Sequence, residues 1–143
     1  MAYDPNNIFA KILRGEVPAY LVYEDDRTLV IMDAMPQSDG HCLVLPKAPA
    51  ENIFDLDPAM AAAVIQVGQK VARAAMAAFE ADGIMLAQYN GPAAGQSVFH
   101  FHLHVVPRYA DRPLRTHGRG MADAKLLEEQ ARRLRTALGF TPS

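Results

Sequence analysis

Val-Phe-His-Phe-His-Leu-His-Val-Val-Pro, residues 98–107, is the stretch on which the fold and the chemistry depend. Apolar and polar side chains alternate along it, which is typical of a half-buried β-strand. Because residues two apart on a strand share a face, the pattern predicts that His100, His102 and His104 line one face and that apolar side chains line the other. The small polar residues Gly95-Gln96-Ser97 precede this strand and predict a tight turn. Three imidazoles beside such a turn indicate chemistry on a phosphate.

The spacing of the histidines leaves three interpretations open. Residues two apart on a strand are separated by about 6.8 Å and residues four apart by about 13.5 Å, whereas zinc needs each ligating nitrogen about 2.0–2.1 Å away. Two neighbouring rings can meet one metal ion, but all three need a bulge, so a metal site is one alternative. A purely structural role on the sheet face is another. Catalysis is favoured, because imidazole is largely neutral at pH 7 and can attack an electrophile.

The composition indicates one ordinary globular domain. The chain has 143 residues, of which 50% are hydrophobic and 21% charged, so a single domain over residues 1–143 with a sizeable core is expected. The net charge of −2 gives no bulk attraction to nucleic acid. A single cysteine excludes an internal disulfide and favours a reducing, cytoplasmic compartment. Residues 1–7 carry no secretory signal pattern and no apolar run reaches the length of a membrane span, so no membrane partner is expected.

Local signals predict the order of the elements. Asp4-Pro5-Asn6 favours a helix start, followed by apolar residues at helical spacing as far as Gly15. Asp57-Pro58 favours the start of a long helix that ends at Gly83. The other predicted strands are residues 20–23, 28–33, 41–45 and 84–89. An amphipathic helix is predicted at residues 123–138, within a C-terminal extension at about 120–139. Its inward stripe is predicted to be Leu126, Leu127, Leu134 and Leu138.

The histidine pattern, together with motifs elsewhere, resembles the histidine triad (HIT) superfamily and is most similar to its bacterial HIT and Hint-like nucleotide hydrolases. The matching motifs follow the family's order within a core of residues 5–109; they are residues 8–12, 22–26, 36–37, 41–47, 90, 95–97 and 100–106. The resemblance implies an α+β fold in which an antiparallel sheet of about five strands packs against a long helix and a C-terminal helix. It also implies a homodimer that joins the two sheets into one.

The resemblance further implies a purine nucleotide site. Phe9 and Ile12 would wall the base, and Asp33 would accept hydrogen bonds from both ribose hydroxyls, with loop capping as the alternative role of Asp33. The residues assigned to the phosphates are Asn90, Gln96 and Ser97. Independently of the resemblance, the glycines at 91 and 95 let backbone amides approach an anion closely, although an ordinary hairpin loop uses glycines too.

The reaction implied is hydrolysis at the α-phosphorus of a nucleotide conjugate, without a cofactor. Neutral His102 attacks the phosphorus and forms a covalent nucleotidyl-histidine. The leaving group is protonated by way of His104 or Ser97, and water then releases the nucleoside monophosphate. His100 positions His102, and His41 matches a fourth histidine of the family that lies near the triad. Phosphoramidates, dinucleoside polyphosphates and related conjugates all present such an α-phosphate.

Rival functions stay open at the level of the sequence. A metal-dependent enzyme could use two of the triad histidines, and a nucleotide-binding module could retain only vestigial hydrolysis. Nucleotidyl transfer to another acceptor is disfavoured, because that branch usually has a proline between two histidines, where this chain has Phe101 and Leu103. Some bacterial relatives bind zinc through an N-terminal Cys-x-x-Cys, but Asn7 and Ala10 stand at those positions here.

Cys42 and a basic run after the triad are expected to have plain structural roles. Adjacent residues on a strand face opposite sides, so His41 cannot deprotonate Cys42, which is predicted to be a small buried hydrophobe. The basic run consists of Arg108, Arg112, Arg115, His117 and Arg119. It is expected to be a solvated loop, with contact to a polyphosphate tail as the alternative.

Overall fold

The computed structural model describes residues 2–115 and 121–143. The helices are α1 (Ile8–Leu13), α2 (Pro58–Phe79) and α3 (Ala124–Leu138), and the strands are β1 (Leu21–Glu24), β2 (Thr28–Met32), β3 (Cys42–Pro46), β4 (Gly83–Ala87) and β5 (Leu103–Arg108). The strands form one antiparallel sheet in the order β1-β2-β3-β5-β4. This arrangement confirms the α+β fold with five strands, a long helix and a C-terminal helix.

Helices α2 and α3 cover one face of the sheet and bury the larger of two hydrophobic cores. The Asp57 side chain accepts a hydrogen bond from Ala59 N at 2.9 Å and caps α2, with Pro58 in the first turn, as predicted. Gly68 lies against β5, where an added Cβ would be 2.7 Å from Leu103 Cδ2 and would force that side chain to move. The helix is therefore packed directly behind the strand that carries the last of the triad histidines.

The opposite face of the sheet carries α1 and a smaller core. Along β3, Val44 packs under α2 and α3, whereas Leu43 and Leu45 face α1. This alternation is that of a strand buried on both faces. Because α1 has only six residues, it covers only part of this face and leaves room for a cavity.

The histidine strand is shorter than predicted. β5 begins at Leu103, and residues 98–102 lie outside the sheet because the pairing of β3 with β5 stops at Leu103. Phe101 instead donates its backbone N–H to Ala50 O at 2.8 Å. Phe101 and Leu103 are buried in the larger core as expected, but Phe99, which was predicted to share their face, is only half-buried and lies outside both cores.

The ends of two helices differ from the prediction. α1 begins later than residues 4–6, because Asn7 Oδ1 accepts the hydrogen bond from Ala10 N at 2.9 Å and so forms the cap. α2 ends before Gly83, because Glu80 already adopts the left-handed conformation with φ of 51°. Glu80 therefore ends the helix, and no glycine is needed at the cap.

Helix α3 lies where the C-terminal helix was predicted and ends at Gly139, which has φ of 69°. Leu127 and Leu134 are buried, but Leu126 is 42% exposed, so its predicted inward position is wrong. Neighbouring residues on a helix point about 100° apart, and the stripe follows Leu127 instead. Neither α3 nor any other helix in the described part of the chain has the length and apolarity needed to cross a membrane.

Candidate active site

A cavity of about 730 Å³ opens on the α1 side of the sheet. Apolar side chains of α1, β2 and the segment between α1 and β1 form much of its wall. The predicted site residues that line it are Phe9, Ile12, Asp33, Gly95, Ser97, His102 and His104. A cavity of this size, mostly apolar with a few polar groups, is typical of a small-molecule site.

His102 is oriented through His100 by the N-terminal segment. His100 Nε2 lies 2.8 Å from Pro46 O, and a carbonyl oxygen only accepts, so Nε2 carries the proton. The Tyr3 hydroxyl therefore donates to His100 Nδ1 across 2.6 Å. His102 Nδ1 lies 2.7 Å from His100 O and must donate to it, which places the lone pair of His102 on Nε2. His102 is thereby held in the tautomer that a nucleophile needs.

His100 itself is completely buried and is kept neutral by its surroundings. Burial lowers the pKa of His100 below its usual 6.5, while the hydrogen bond to Pro46 O raises it and the neighbouring His102 lowers it. The net direction is downward. A neutral His100 ring adds no positive charge beside His102, whose Nδ1 bonds the backbone oxygen of His100.

His104 is oriented through His41 by the loop between β2 and β3. Gln37 N donates to His41 Nδ1 at 3.0 Å, so the proton of His41 is on Nε2. That nitrogen lies 3.0 Å from His104 Nδ1 and 3.4 Å from Asp33 Oδ2. Because His41 donates to His104 Nδ1, the proton of His104 is on Nε2. The rings of His102 and His104 have centroids 5.1 Å apart, so a lone pair and an N–H donor lie side by side on one wall.

Asp33 lies directly after β2, is buried and lines the same cavity. One of its oxygens, Oδ1, accepts a hydrogen bond from the backbone N–H of Met35 at 2.8 Å. This contact is the loop-capping role that was the alternative to ribose binding. The other, Oδ2, is the oxygen near His41. Capping therefore occupies one oxygen, and the ribose contact of Asp33 stays a prediction.

The loop between β4 and β5 is held together by the side-chain amides of Asn90 and Gln96. Gln96 is buried; its Nε2 donates to Glu51 O at 2.6 Å and its Oε1 accepts from Gly91 N at 2.8 Å. Asn90 Oδ1 accepts from Ile53 N at 2.7 Å. Neither side chain lines the cavity as the described residues form it. The structure thus uses both amides to bond the loop to itself and to residues 51–53, and their contact with the phosphates stays a prediction.

The glycines of this loop use their N–H groups within the loop. Gly95 has φ of 103°, and its N–H donates to Pro92 O at 3.0 Å. The N–H of Gly91 donates to Gln96 Oε1, so the amides of both glycines bond within the loop, and their approach to an anion stays a prediction. The loop still presents Ser97 on the cavity wall. Its hydroxyl is the polar group that this segment offers to a phosphate or a leaving group.

Asp33, His41 and His104 present ligand atoms within 4.8 Å of one another, close enough for a metal ion. The hydrogen bonds do not fit this use. Gln37 N–H occupies the lone pair of His41 Nδ1, so His41 Nε2 carries a proton, and a ring nitrogen must be deprotonated to bind a metal. The three side chains therefore fit a hydrogen-bond chain better than a metal centre.

The N-terminal zinc position of some relatives does not fit this chain either. Asn7 caps α1 through Oδ1, and Ala10 has no ligand atom. His100 has hydrogen-bond partners on both ring nitrogens, Tyr3 and Pro46.

The described members of the basic run, Arg108, Arg112 and Arg115, do not line the cavity. Arg112 and Arg115 pair with Asp39 at 3.3 and 3.0 Å, and Arg108 lines a separate open cavity at the end of β5. Outside the described residues lie His117 and Arg119. The alternative role of Arg108, Arg112 and Arg115 as contacts for a polyphosphate tail therefore finds no support.

Several residues of the site were not predicted, among them Tyr3, Tyr89 and Met121. Tyr3 is 97 positions from His100 in the sequence, and no periodic pattern links them. The Tyr89 ring has its centroid 5.6 Å from that of His104 and lines the cavity. Met121 reaches the wall from the C-terminal extension. An aromatic residue directly before Asn90 was the one signal in the sequence that could have found any of these.

Cys42 takes no part in the site. Its side chain is fully buried, and burial, together with the nearby charge of Asp33, raises the pKa of the thiol to about 12. The predicted role as a small buried hydrophobe is confirmed.

Known proteins share both the sequence pattern and the fold. Residues 14–111 match the family model of the HIT domain. The chain belongs to the HIT family. A Hit-like protein involved in cell-cycle regulation from Bartonella henselae is 44% identical, with a TM-score of 0.89 over 95% of this chain and 99% of its own. A Zn-bound histidine triad family protein from Mycobacterium smegmatis is 41% identical, with a TM-score of 0.85 over 94% of both chains. Adenylylsulfatase HINT3 of Arabidopsis thaliana is 38% identical over 77% of this chain and 59% of its own length.

These matches confirm the resemblance drawn from the histidine pattern. The HIT superfamily is one of nucleotide-binding hydrolases. The B. henselae and M. smegmatis structures extend over the C-terminal extension as well as the family-model region, since they cover nearly the whole chain.

Proposed function

We propose that this HIT family protein hydrolyses nucleotide conjugates at the α-phosphorus, with His102 as the nucleophile and His104 as the proton donor to the leaving group. The observation that carries the proposal is the opposite protonation of the two neighbouring rings. His102 has its lone pair on Nε2, whereas His104 has its proton on Nε2. A module that only binds a nucleotide does not need a nucleophile and a proton donor on the same wall.

In the first step, the His102 Nε2 lone pair forms a bond to the α-phosphorus, and the bond from phosphorus to the leaving atom breaks. The leaving atom keeps that electron pair and takes the proton of His104 Nε2. His41 Nε2–H donates to His104 Nδ1 and keeps the transferable proton of that ring on Nε2. The positive charge of the covalent nucleotidyl-His102 lies beside His104 and favours the transfer of that proton to the leaving atom.

In the second step, water attacks the same phosphorus and the bond to His102 Nε2 breaks. The oxygen and one hydrogen of the water stay with the nucleoside monophosphate, and the other hydrogen returns to His104 Nε2. Both rings then have their starting protons. Dividing one difficult displacement into two easier ones is the usual advantage of covalent catalysis.

The nucleotide is held by the rest of the cavity. Phe9 and Ile12 form an apolar wall suited to a purine, and the ring of Phe9 meets that of His102 edge to face, with centroids 4.8 Å apart. Asp33 is the carboxylate on the wall and accepts the ribose hydroxyls in this proposal. Ser97 donates to a phosphoryl oxygen or to the leaving group.

The charges of the wall favour some substrates over others. Among the described residues that line the cavity, none is a lysine or an arginine, and Asp33 is the carboxylate. A long polyphosphate tail would meet no compensating cation there. The proposal therefore favours nucleoside phosphoramidates and similar conjugates over dinucleoside polyphosphates. Adenylylsulfatase HINT3, a relative named for action on an adenylyl conjugate, supports the same class.

We also propose that the chain forms a homodimer through β4, in the reducing environment that its single cysteine favours. β4 is an edge strand, and unpaired edges pair readily with a second strand. Leu86 on β4 is 43% exposed, and Ile65 on α2 is also exposed. Sedimentation analysis of Leu86→Lys should give a monomer, whereas Leu126→Lys, at an equally exposed leucine of α3, should leave the dimer intact. A monomeric wild type would contradict this proposal.

The decisive experiment uses His102→Ala with adenosine 5′-phosphoramidate. Turnover should fall by at least about a thousandfold, because the attacking nitrogen is lost. Binding of AMP, measured by calorimetry, should remain. Acid-quenched wild type should carry one nucleotidyl group, which peptide mass spectrometry locates on His102. Retained turnover in the variant, or an adduct elsewhere, would overturn the assignment.

A further inference from the structure

The loop between β2 and β3, residues 33–41, is fastened on both sides of Gln37 to the part of the chain that follows β5. Arg115 N donates to Gln37 O at 2.7 Å, and Ala122 N donates to Ala34 O at 2.9 Å. On the other side, the Tyr109 hydroxyl donates to Asp39 O at 3.0 Å. The chain after β5 therefore holds the loop through its backbone as well as through side chains.

Gln130 on α3 makes two further contacts with this loop. This polar side chain is only 4% exposed, because it lies on the face of α3 that packs on the core. Oε1 accepts from Gly40 N at 3.1 Å, and Nε2 donates to Asp39 Oδ1 at 3.1 Å. A buried amide costs free energy unless it is hydrogen-bonded, and here both ends of the amide bond the loop.

Asp39 also forms salt bridges with two arginines of the chain that follows β5. Arg115 reaches Oδ1 at 3.0 Å and Arg112 reaches Oδ2 at 3.3 Å. Burial alone would raise the pKa of Asp39, but the hydrogen bonds from Arg115 and Gln130 and the charges of both arginines lower it below its usual value. The carboxylate is therefore charged at neutral pH and holds the loop to the chain that follows β5.

The same loop sets the proton on His41. Gln37 N–H bonds His41 Nδ1, Asp33 N bonds His41 O at 3.0 Å, and His41 N bonds Ser38 O at 3.2 Å. If the loop shifted, His41 Nδ1 would lose its donor, and the ring could move its proton from Nε2 to Nδ1. His104 Nδ1 would then lose the donor that fixes its own proton on Nε2.

We propose that Gln130 is a positioning residue for the reaction, holding loop 33–41 so that Gln37 fixes the tautomer of His41 and, through it, the proton of His104. Gln130 does not touch the cavity and acts through Gly40 and Asp39. The kinetic part of this inference rests on the proposed function. The tautomer part does not, because it concerns the resting protein alone.

Gln130→Ala tests the inference with two substrates. An amine leaving group needs the proton of His104, whereas p-nitrophenolate leaves without one. We expect kcat for adenosine 5′-phosphoramidate to fall about tenfold and kcat for the p-nitrophenyl ester of AMP to stay within about twofold, with KM for both little changed. Gln69→Ala, the same substitution at an exposed glutamine of α2, should alter neither.

Histidine-ring ¹⁵N spectra give a readout that does not need activity. In the wild type, His41 should have an unprotonated Nδ1 and a protonated Nε2, and in Gln130→Ala both tautomers should be populated. Equal kinetic losses on the two substrates, or an unchanged His41 spectrum in a folded variant, would overturn the inference. If the wild type hydrolyses neither substrate, the proposed function fails while the spectra still decide the role of Gln130.

Asp39→Ala provides a second test of the inference if Gln130→Ala fails to fold. Asp39 is partly exposed, so its removal leaves the packing of α3 unchanged. It removes the contact to Gln130 Nε2 and leaves the one between Gln130 Oε1 and Gly40 N. We expect the same selective loss on the phosphoramidate, smaller than for Gln130→Ala. No selective loss in either variant would contradict the inference.

Discussion

His102 and His104 are identical side chains on the same wall, and the structure supports them from opposite ends of the chain. His102 is held by His100, which is bonded to Tyr3 near the N-terminus. His104 is held by His41, whose loop is fastened to α3 near the C-terminus. The first arrangement leaves a lone pair on Nε2 and the second leaves a proton there. The difference in chemistry therefore comes from the partner of each Nδ1, a carbonyl oxygen in one case and an N–H in the other.

The largest contrast is expected between substitutions of the two rings themselves. His104→Gln should reduce kcat/KM for adenosine 5′-phosphoramidate by about a hundredfold, because glutamine cannot transfer a proton. It should affect the p-nitrophenyl ester of AMP far less, whereas His102→Ala should abolish turnover of both. Steady-state kinetics of both variants on both substrates measures this. Equal losses in His104→Gln would mean that the two rings share one role.

The next largest effect is expected for His41→Phe, which keeps the ring volume and removes both nitrogens. Gln37 N–H and His104 Nδ1 then lose their partner, at a cost of roughly 1–3 kcal/mol in the free energy of unfolding. The phosphoramidate should lose about tenfold in kcat, and the p-nitrophenyl ester much less. Urea unfolding and the two assays measure this. A variant as active as the wild type on both substrates would mean that His41 does not act through His104.

A smaller effect, on the other histidine, is expected for Tyr3→Phe. The hydroxyl that donates to His100 Nδ1 is lost, which should lower the free energy of unfolding by about 1 kcal/mol. Because His100 acts on His102, both substrates should slow equally, by about threefold. Tyr23→Phe is the matched control, since its hydroxyl bonds Asp25 and not the site. A loss confined to the phosphoramidate would contradict the division of roles.

The smallest effect is expected in the pH dependence of stability. The folded pKa of His100 is lower than its usual 6.5, so the unfolded chain takes up a proton first as the pH falls. The contribution of His100 to the free energy of unfolding is therefore complete above pH 6.5 and is lost as the pH falls from there toward the folded pKa. Urea unfolding between about pH 7.5 and pH 5 should show a shallower slope for His100→Gln. An identical slope would mean that His100 is not the group responsible for this pH dependence.

Much of the fold followed from local sequence signals. The Asp57-Pro58 cap and the strand predicted at residues 41–45 each depend on neighbouring residues, and each is present in the structure. The division of the chain into five strands and two long helices could be predicted for the same reason. The start of β5 could not, because it depends on where β3 stops pairing with it, and that is set far away in the sequence.

The site was predicted in part. The wall residues His102, His104, Asp33 and Ser97 follow from the motifs, but the direction of a polar side chain does not. Gln96 has an amide that suits a phosphate equally well and is used to close its own loop. The contacts of Tyr3 and Gln130 join residues 97 and 91 positions apart, and no periodic pattern connects such pairs.

The burial of Cys42 has a practical consequence. The chain has no other cysteine, and a thiol with a pKa of about 12 in a sealed core hardly forms the reactive thiolate. A cysteine introduced at an exposed position such as Lys125 could therefore be labelled selectively in the native protein. Fluorescence or spin-label distances between the protomers of the proposed homodimer would then be accessible without first replacing the natural thiol.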